Sequence, residues 1–200
     1  MRIAFIGDSI TDAGRDRSDP ASFGDGYVAL LAPELIAGGA EVCNLGIAGD
    51  RAADLAARWQ TDLLPVRADL LTVYVGVNEV WRLFDSDDPT PTARFQATLR
   101  ELLASAGSTH LVLMEPYLLP VREEQDSWIA ELDEKRAAVR DLAGEFDAAL
   151  VPLHDVLSSA ASHVGASALA PDGVHPTPAA SALIADAWRT AARSFISDSR

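Results

Sequence analysis

Four short stretches of this 200-residue chain set a nucleophile, a base or a carboxylate beside glycine. They are Gly7-Asp8-Ser9-Ile10-Thr11, Asn44-Leu45-Gly46-Ile47-Ala48-Gly49-Asp50, Gly76-Val77-Asn78-Glu79 and Asp172-Gly173-Val174-His175-Pro176. Singly, each has an ordinary structural explanation, because Gly, Asp, Asn and Ser make up most turns whatever the function. Together they supply the parts that acyl transfer requires. A serine hydroxyl is a poor nucleophile until a base within hydrogen-bond reach takes its proton. The base needs a third group that fixes its tautomer and stabilises the imidazolium. Asp172 and His175 offer that pair from one turn. The oxyanion that forms needs donors in fixed positions. The N–H groups of Ser9 and Gly49 and the Asn78 amide converge on one oxygen if the strands before them lie in the order 2-1-3.

Positioning such residues calls for a scaffold, and the alternation of apolar runs describes one. Strands are expected at Arg2–Gly7, Glu41–Leu45, Leu70–Gly76, His110–Glu115 and Ala148–Leu153, short and apolar as buried parallel strands are. Helices are expected at Gly26–Ala37, Arg51–Leu64, Thr92–Ala106, Ser127–Phe146 and Pro178–Phe195. In the second, Ala52, Leu55, Ala56, Trp59 and Leu63 share one face. In the last, Thr177 is placed to cap and Pro178 sits in the first turn, where a missing N–H costs nothing. Strand–helix alternation predicts a three-layer αβα sandwich, a single domain over positions 1–200. Reactive groups in such sheets lie outside the carboxyl ends of the strands, where all four stretches fall.

Composition removes other classes. Apolar residues make up 48% and charged residues 23%, ordinary for a globular protein. The formal charge of −14 argues against nucleic acid, which requires a cationic face, and against anionic lipid. No apolar run approaches the ~20 residues of a membrane span. The N-terminus turns polar at Asp8, before the apolar core of a signal peptide is complete, so the expected compartment is the cytoplasm. The single cysteine, Cys43, has no internal disulfide partner and lies in an apolar stretch, which predicts a buried structural thiol. His110, His154 and His163 have no partner at a telling spacing and are assigned to structure. Glu123-Glu124-Gln125-Asp126 reads as a solvated helix start favoured by the dipole. No zinc-ligand spacing and no phosphate-binding glycine loop is present, so no metal and no cofactor is expected.

The four stretches, in order, resemble the motif blocks of the SGNH (GDSL-type) esterases and acylhydrolases, over positions 7 to 176. The resemblance implies Ser9 as nucleophile, His175 as general base, Asp172 as its partner, and Gly49 with Asn78 in the oxyanion hole. It also implies a flavodoxin-like five-stranded parallel sheet in the order 2-1-3-4-5. Glu79 departs from the family, which usually has Asp there; the longer side chain changes the local support of Asn78 but removes no catalytic group. More narrowly, Gly7 to Arg15, Gly26-Tyr27-Val28 and Gly76 to Arg82 look like the branch containing intracellular xylan and xylo-oligosaccharide acetylesterases.

The expected activity is hydrolysis of acetyl or other short acyl esters, the small-molecule substrate an acetylated and imported oligosaccharide. Trp81 and Arg82, close to Asn78, offer a stacking face and a donor to a sugar, and Asp8 is the third expected substrate contact. Trp59, Trp128 and Trp188 fall on helical faces and are expected in the core. Two alternatives stay open: a thioesterase or lysophospholipase of the same family, and a non-catalytic flavodoxin-like module binding a small ligand at the same strand ends. The sequence is compatible with a homo-oligomer and does not specify one.

Overall fold

The computed structural model of the chain describes residues 1–197. Five parallel strands, β1 (Arg2–Gly7), β2 (Glu41–Gly46), β3 (Leu70–Tyr74), β4 (His110–Met114) and β5 (Ala149–Val151), form one sheet in the order 2-1-3-4-5. Strand β1 lies second in it, between β2 and β3, with Ile3 opposite Val42 on one side and Leu70 on the other. The chain therefore reverses its direction of travel across the sheet at β1, and a crevice opens there at the carboxyl ends.

Alternate residues of each strand face opposite layers. Ile3 and Phe5 pack with α2 (Tyr27–Ala37), α7 (Leu153–Val164) and α9 (Pro178–Ser197). Ala4 and Ile6 face the other way, toward α3 (Ala52–Arg58), α5 (Thr92–Ser105) and α6 (Ile129–Glu145). Both faces of the sheet are thus covered, which is why the strands read as unbroken apolar runs. Three further helices, α1 (Ser9–Asp12), α4 (Val77–Ser86) and α8 (Ala166–Leu169), lie in connections along the upper edge. No described helix is long and apolar enough to cross a membrane.

The departures from expectation have local causes. The segment expected as one helix over Arg51–Leu64 divides into α3, a π turn at Trp59–Leu63 and a 3-10 turn at Leu64–Val66. Pro65 cannot donate an α-helical bond, and the wider turn brings both Trp59 and Leu63 inward while Ala56 stays exposed. Strand β5 ends at Val151, and Leu153 opens α7, a helix hidden from the sequence by its Ser- and Ala-rich composition. Strand β3 ends at Tyr74 because Gly76 leaves the extended region. The acidic stretch forms a 3-10 turn, Glu123–Trp128, before α6 begins. Cys43 is half-buried rather than buried, and partial burial pushes its thiol up.

Trp59 and Trp188 are core residues as expected. Trp188 fastens α9 to the sheet: its ring lies 5.2 Å from Phe5 and its indole N–H donates to Thr72 Oγ1 at 2.8 Å. Trp188→Ala should cost about 3–5 kcal/mol, through lost contacts, a cavity and an unpaired hydroxyl. Urea unfolding should show a lower midpoint at unchanged slope; a loss below about 1 kcal/mol would contradict this anchoring role.

Candidate active site

The carboxyl end of β1 runs into Asp8, whose buried side chain caps α1 by accepting the Ile10 N–H at 3.0 Å. Ser9 is thereby the first residue of α1, its hydroxyl turned into the crevice. The Asp172 turn faces it from the other end of the chain. Asp172 Oδ1 accepts the N–H groups of Val174 and His175 at 2.9 and 2.8 Å. Its Oδ2 lies 2.6 Å from His175 Nδ1, and His175 Nε2 lies 2.9 Å from Ser9 Oγ. Burial alone would raise the Asp172 carboxyl; the bonds from the His175 ring and from the two N–H groups outweigh it and hold the carboxyl below its ordinary value. The result is a continuous hydroxyl–imidazole–carboxylate relay, with half of the imidazole surface open to solvent.

The connection between β4 and α6 fastens this turn. Leu119 N–H donates to Gly173 O at 2.9 Å and Tyr117 Oη to Val174 O at 2.5 Å. Gln125, fully buried, donates from Nε2 to Asp172 O at 2.7 Å while its Oε1 accepts the N–H groups of Val121 and Arg122. Gln125 was not singled out from the sequence. It stands in a stretch that reads as solvated, and only the fold brings position 125 against 172.

On the opposite side of Ser9, the loop after β2 and the start of α4 converge. Gly49 has φ +88° and Gly76 has φ +138°, conformations that glycine adopts readily and other residues do not. A Cβ on Gly76 would also lie 2.9 Å from Pro116 Cγ, so the turn that delivers Asn78 has no room for a side chain. Asn78 donates one amide hydrogen to Asp50 O at 3.0 Å, which leaves the second to donate elsewhere. The neighbouring N–H groups are occupied: Ile47 donates to Gly7 O, Ala48 to Asp12 Oδ2 and Ala52 to Glu79 Oε1. Those of Ser9 and Gly49 are used by no loop contact among the described residues.

One expected substrate contact differs from the structure. Asp8 is completely buried and serves α1 from inside; its second carboxylate oxygen has no partner. Burial, reinforced by Glu79 and Asp50 against the bond from Ile10, pushes its carboxyl up to about 8. Arg82 is exposed and pairs with Asp85 at 3.2 Å. Trp81 lies beside the relay, its ring 6.1 Å from that of His175 and 5.6 Å from Trp128. Trp128, although buried, also stacks on exposed Phe84 at 5.4 Å, so an aromatic strip leads away from His175. The crevice itself holds about 790 Å³, with Ser9, Asp12, Arg15, Arg17, Asp25 and His175 among its walls. Among the described residues no cluster of His, Cys, Asp and Glu is arranged to hold a metal ion.

Comparison with known proteins agrees with this geometry. Residues 5–183 match the GDSL-like Lipase/Acylhydrolase family. The acetylxylan esterase of Geobacillus stearothermophilus is 31% identical, over 94% of this chain and 91% of its own. Its crystal structure, named Axe2, superposes with a TM-score of 0.87 over 94% of this chain and 92% of that one. Three further structures of Axe2 are of catalytic mutants, with a serine, an aspartate or a histidine replaced by alanine. LAE5, an alpha/beta hydrolase enzyme from the metagenome of Lake Arreo in Spain, is 33% identical with a TM-score of 0.88, covering 95% of this chain and 94% of its own. The chain belongs to the GDSL-like lipase/acylhydrolase family and is a carboxylic ester hydrolase.

Proposed function

We propose that the protein is a serine esterase that removes acetyl or other short acyl groups from sugars, working as a single domain over positions 1–200. The relay from Asp172 through His175 to Ser9, with contacts of 2.6 and 2.9 Å, carries this reading. His175 Nε2 takes the Ser9 proton as Oγ attacks the ester carbonyl. The tetrahedral oxyanion is held by the N–H groups of Ser9 and Gly49 and the free Asn78 amide hydrogen, which bind charge present only near the transition state. As the carbon–oxygen bond breaks, His175 returns the proton to the leaving alcohol and an acyl-Ser9 ester remains. Water, deprotonated by the same imidazole, then attacks it and releases the acid. Asp172 keeps Nδ1 protonated throughout, so that Nε2 faces the serine.

Three features favour an acetylated sugar as substrate. The likeness to an acetylxylan esterase extends over nearly the whole chain. The crevice walls carry both carboxylates and guanidinium groups, partners for hydroxyls on a neutral ring. The strip of Trp81, Trp128 and Phe84 beside His175 offers apolar faces to the leaving group. The −14 charge opposes approach to anionic lipid.

On p-nitrophenyl esters, kcat/KM should be highest for acetate and fall with chain length, and acetate should be released from acetylated xylo-oligosaccharides. Ser9→Ala should abolish both by several orders of magnitude, with an unchanged circular dichroism spectrum. Higher kcat/KM for long acyl chains without acetate release from sugars, or preference for acyl-thioesters, would overturn the substrate class. Substantial activity in Ser9→Ala would overturn the mechanism.

A further inference from the structure

The donors assigned to the oxyanion come from separate elements. Gly49 belongs to the loop between β2 and α3, and Asn78 to the first turn of α4. No strand pairing joins β2 to β3, because β1 lies between them. Two hydrogen bonds from consecutive residues of α4 cross that gap. Asn78 donates to Asp50 O at 3.0 Å, and Glu79 Oε1 accepts the Ala52 N–H at 2.7 Å. They bracket the stretch from Asp50 to Ala52, immediately after Gly49. The first bond alone leaves the amide free to pivot about one carbonyl; the second fixes the spacing between loop and helix. Glu79 and Ala52 are each only 1% exposed, so water does not compete for this contact.

Building on the esterase reading above, we propose that Glu79 is a positioning residue for the oxyanion hole, its hydrogen bond with the Ala52 N–H holding the Gly49 loop at its working distance from Asn78. Glu79 touches no reacting atom. It acts through Gly49 and Asn78, and its length spans the gap between α4 and the first residue of α3.

Charge state matters to this contact. Asp8 faces the same region from the β1–α1 turn, Asp50 and Arg51 from the loop, and Lys135 from α6. Burial pushes the Glu79 carboxyl up to about 7, against the bond from Ala52 and the two cations. In the neutral acid the carbonyl oxygen accepts from Ala52, and a glutamine amide oxygen can do the same. The uncharged form also avoids a fixed negative charge beside a developing oxyanion. The folded chain therefore keeps a proton between about pH 4.5 and about pH 7 that the unfolded chain releases, and stability falls as pH rises across that window.

Wild type, Glu79→Gln, Glu79→Ala and Ala52→Pro would be compared on p-nitrophenyl acetate, with melting temperatures from about pH 5 to about pH 8. Ala52→Pro removes the donor at the first position of α3, where proline is accommodated, and so tests the contact from its other side if Glu79→Ala does not fold. Glu79→Ala and Ala52→Pro should lower kcat about 10- to 100-fold, less than the ~10²–10³ that follows loss of an oxyanion donor itself, with KM within about twofold. Glu79→Gln should stay within about threefold of wild type and lose less melting temperature as pH rises. Wild-type kcat in the folded Ala and Pro variants, or a Gln variant as impaired as the Ala variant, overturns the role of Glu79 alone. An inactive wild type overturns the esterase reading and this role with it.

Discussion

The His175 imidazole is held between two oxygens, Asp172 Oδ2 at 2.6 Å and Ser9 Oγ at 2.9 Å, and the second contact joins residues 166 positions apart. A relay of this kind tolerates little error, since a displacement of about 1 Å can cost on the order of 10² in rate. Neither partner sits on a long regular element. Ser9 opens a four-residue helix and His175 ends a turn, so the accuracy comes from the elements beneath them. Parallel pairing of β1 with β2 and β3 fixes Gly7 level with Gly46 and Tyr74. Trp188 holds α9, which follows His175, against the same sheet. The Asp172 turn is fastened from its other side by Leu119, Tyr117 and Gln125. The fold is, in effect, a means of bringing the two ends of the chain together at the switch point of the sheet.

Electrostatics work in the same direction. Three carboxyls, Asp8, Asp50 and Glu79, each adjoin in sequence a residue proposed for the oxyanion hole, and Asp8 feels the charge of the other two. Burial pushes Asp8 up to about 8 and Glu79 up to about 7, disfavouring their charged forms; Asp50, also raised by burial, is paired with Arg58 at 2.7 Å. Asp172, bonded by two N–H groups and the imidazole, is instead held low, which suits the proposed role of stabilising an imidazolium. Burial thus raises some carboxyls of one region while bonding lowers Asp172.

Much of this was legible in the sequence, and the rest was hidden for identifiable reasons. Strand positions and the sandwich emerge from apolar runs, because buried parallel strands leave strong local signals, whereas the full strand order is implied only by the resemblance to the esterase family. The grouping of Ser9, Asp172 and His175 was legible because the proposed catalysis, by a weak nucleophile, requires those types together. Asp8, expected as a substrate contact, instead turns its side chain inward to cap α1. Gln125 and the link from Glu79 to Ala52 left no signal, since each joins segments that only tertiary packing brings together. Helix α7 lies where the sequence reading expects a loop after a strand reaching Leu153; the strand stops at Val151 and Leu153 opens the helix.

The central claim is that Ser9 Oγ becomes covalently bonded to the group it receives. Diethyl p-nitrophenyl phosphate tests it directly, because a serine nucleophile expels p-nitrophenolate and retains the phosphoryl group. Reaction should release one p-nitrophenolate per chain, abolish esterase activity in parallel and leave a diethylphosphoryl adduct on the peptide containing Ser9 in the mass spectrum. Full activity after stoichiometric reaction, or an adduct on a residue other than Ser9, would contradict the account.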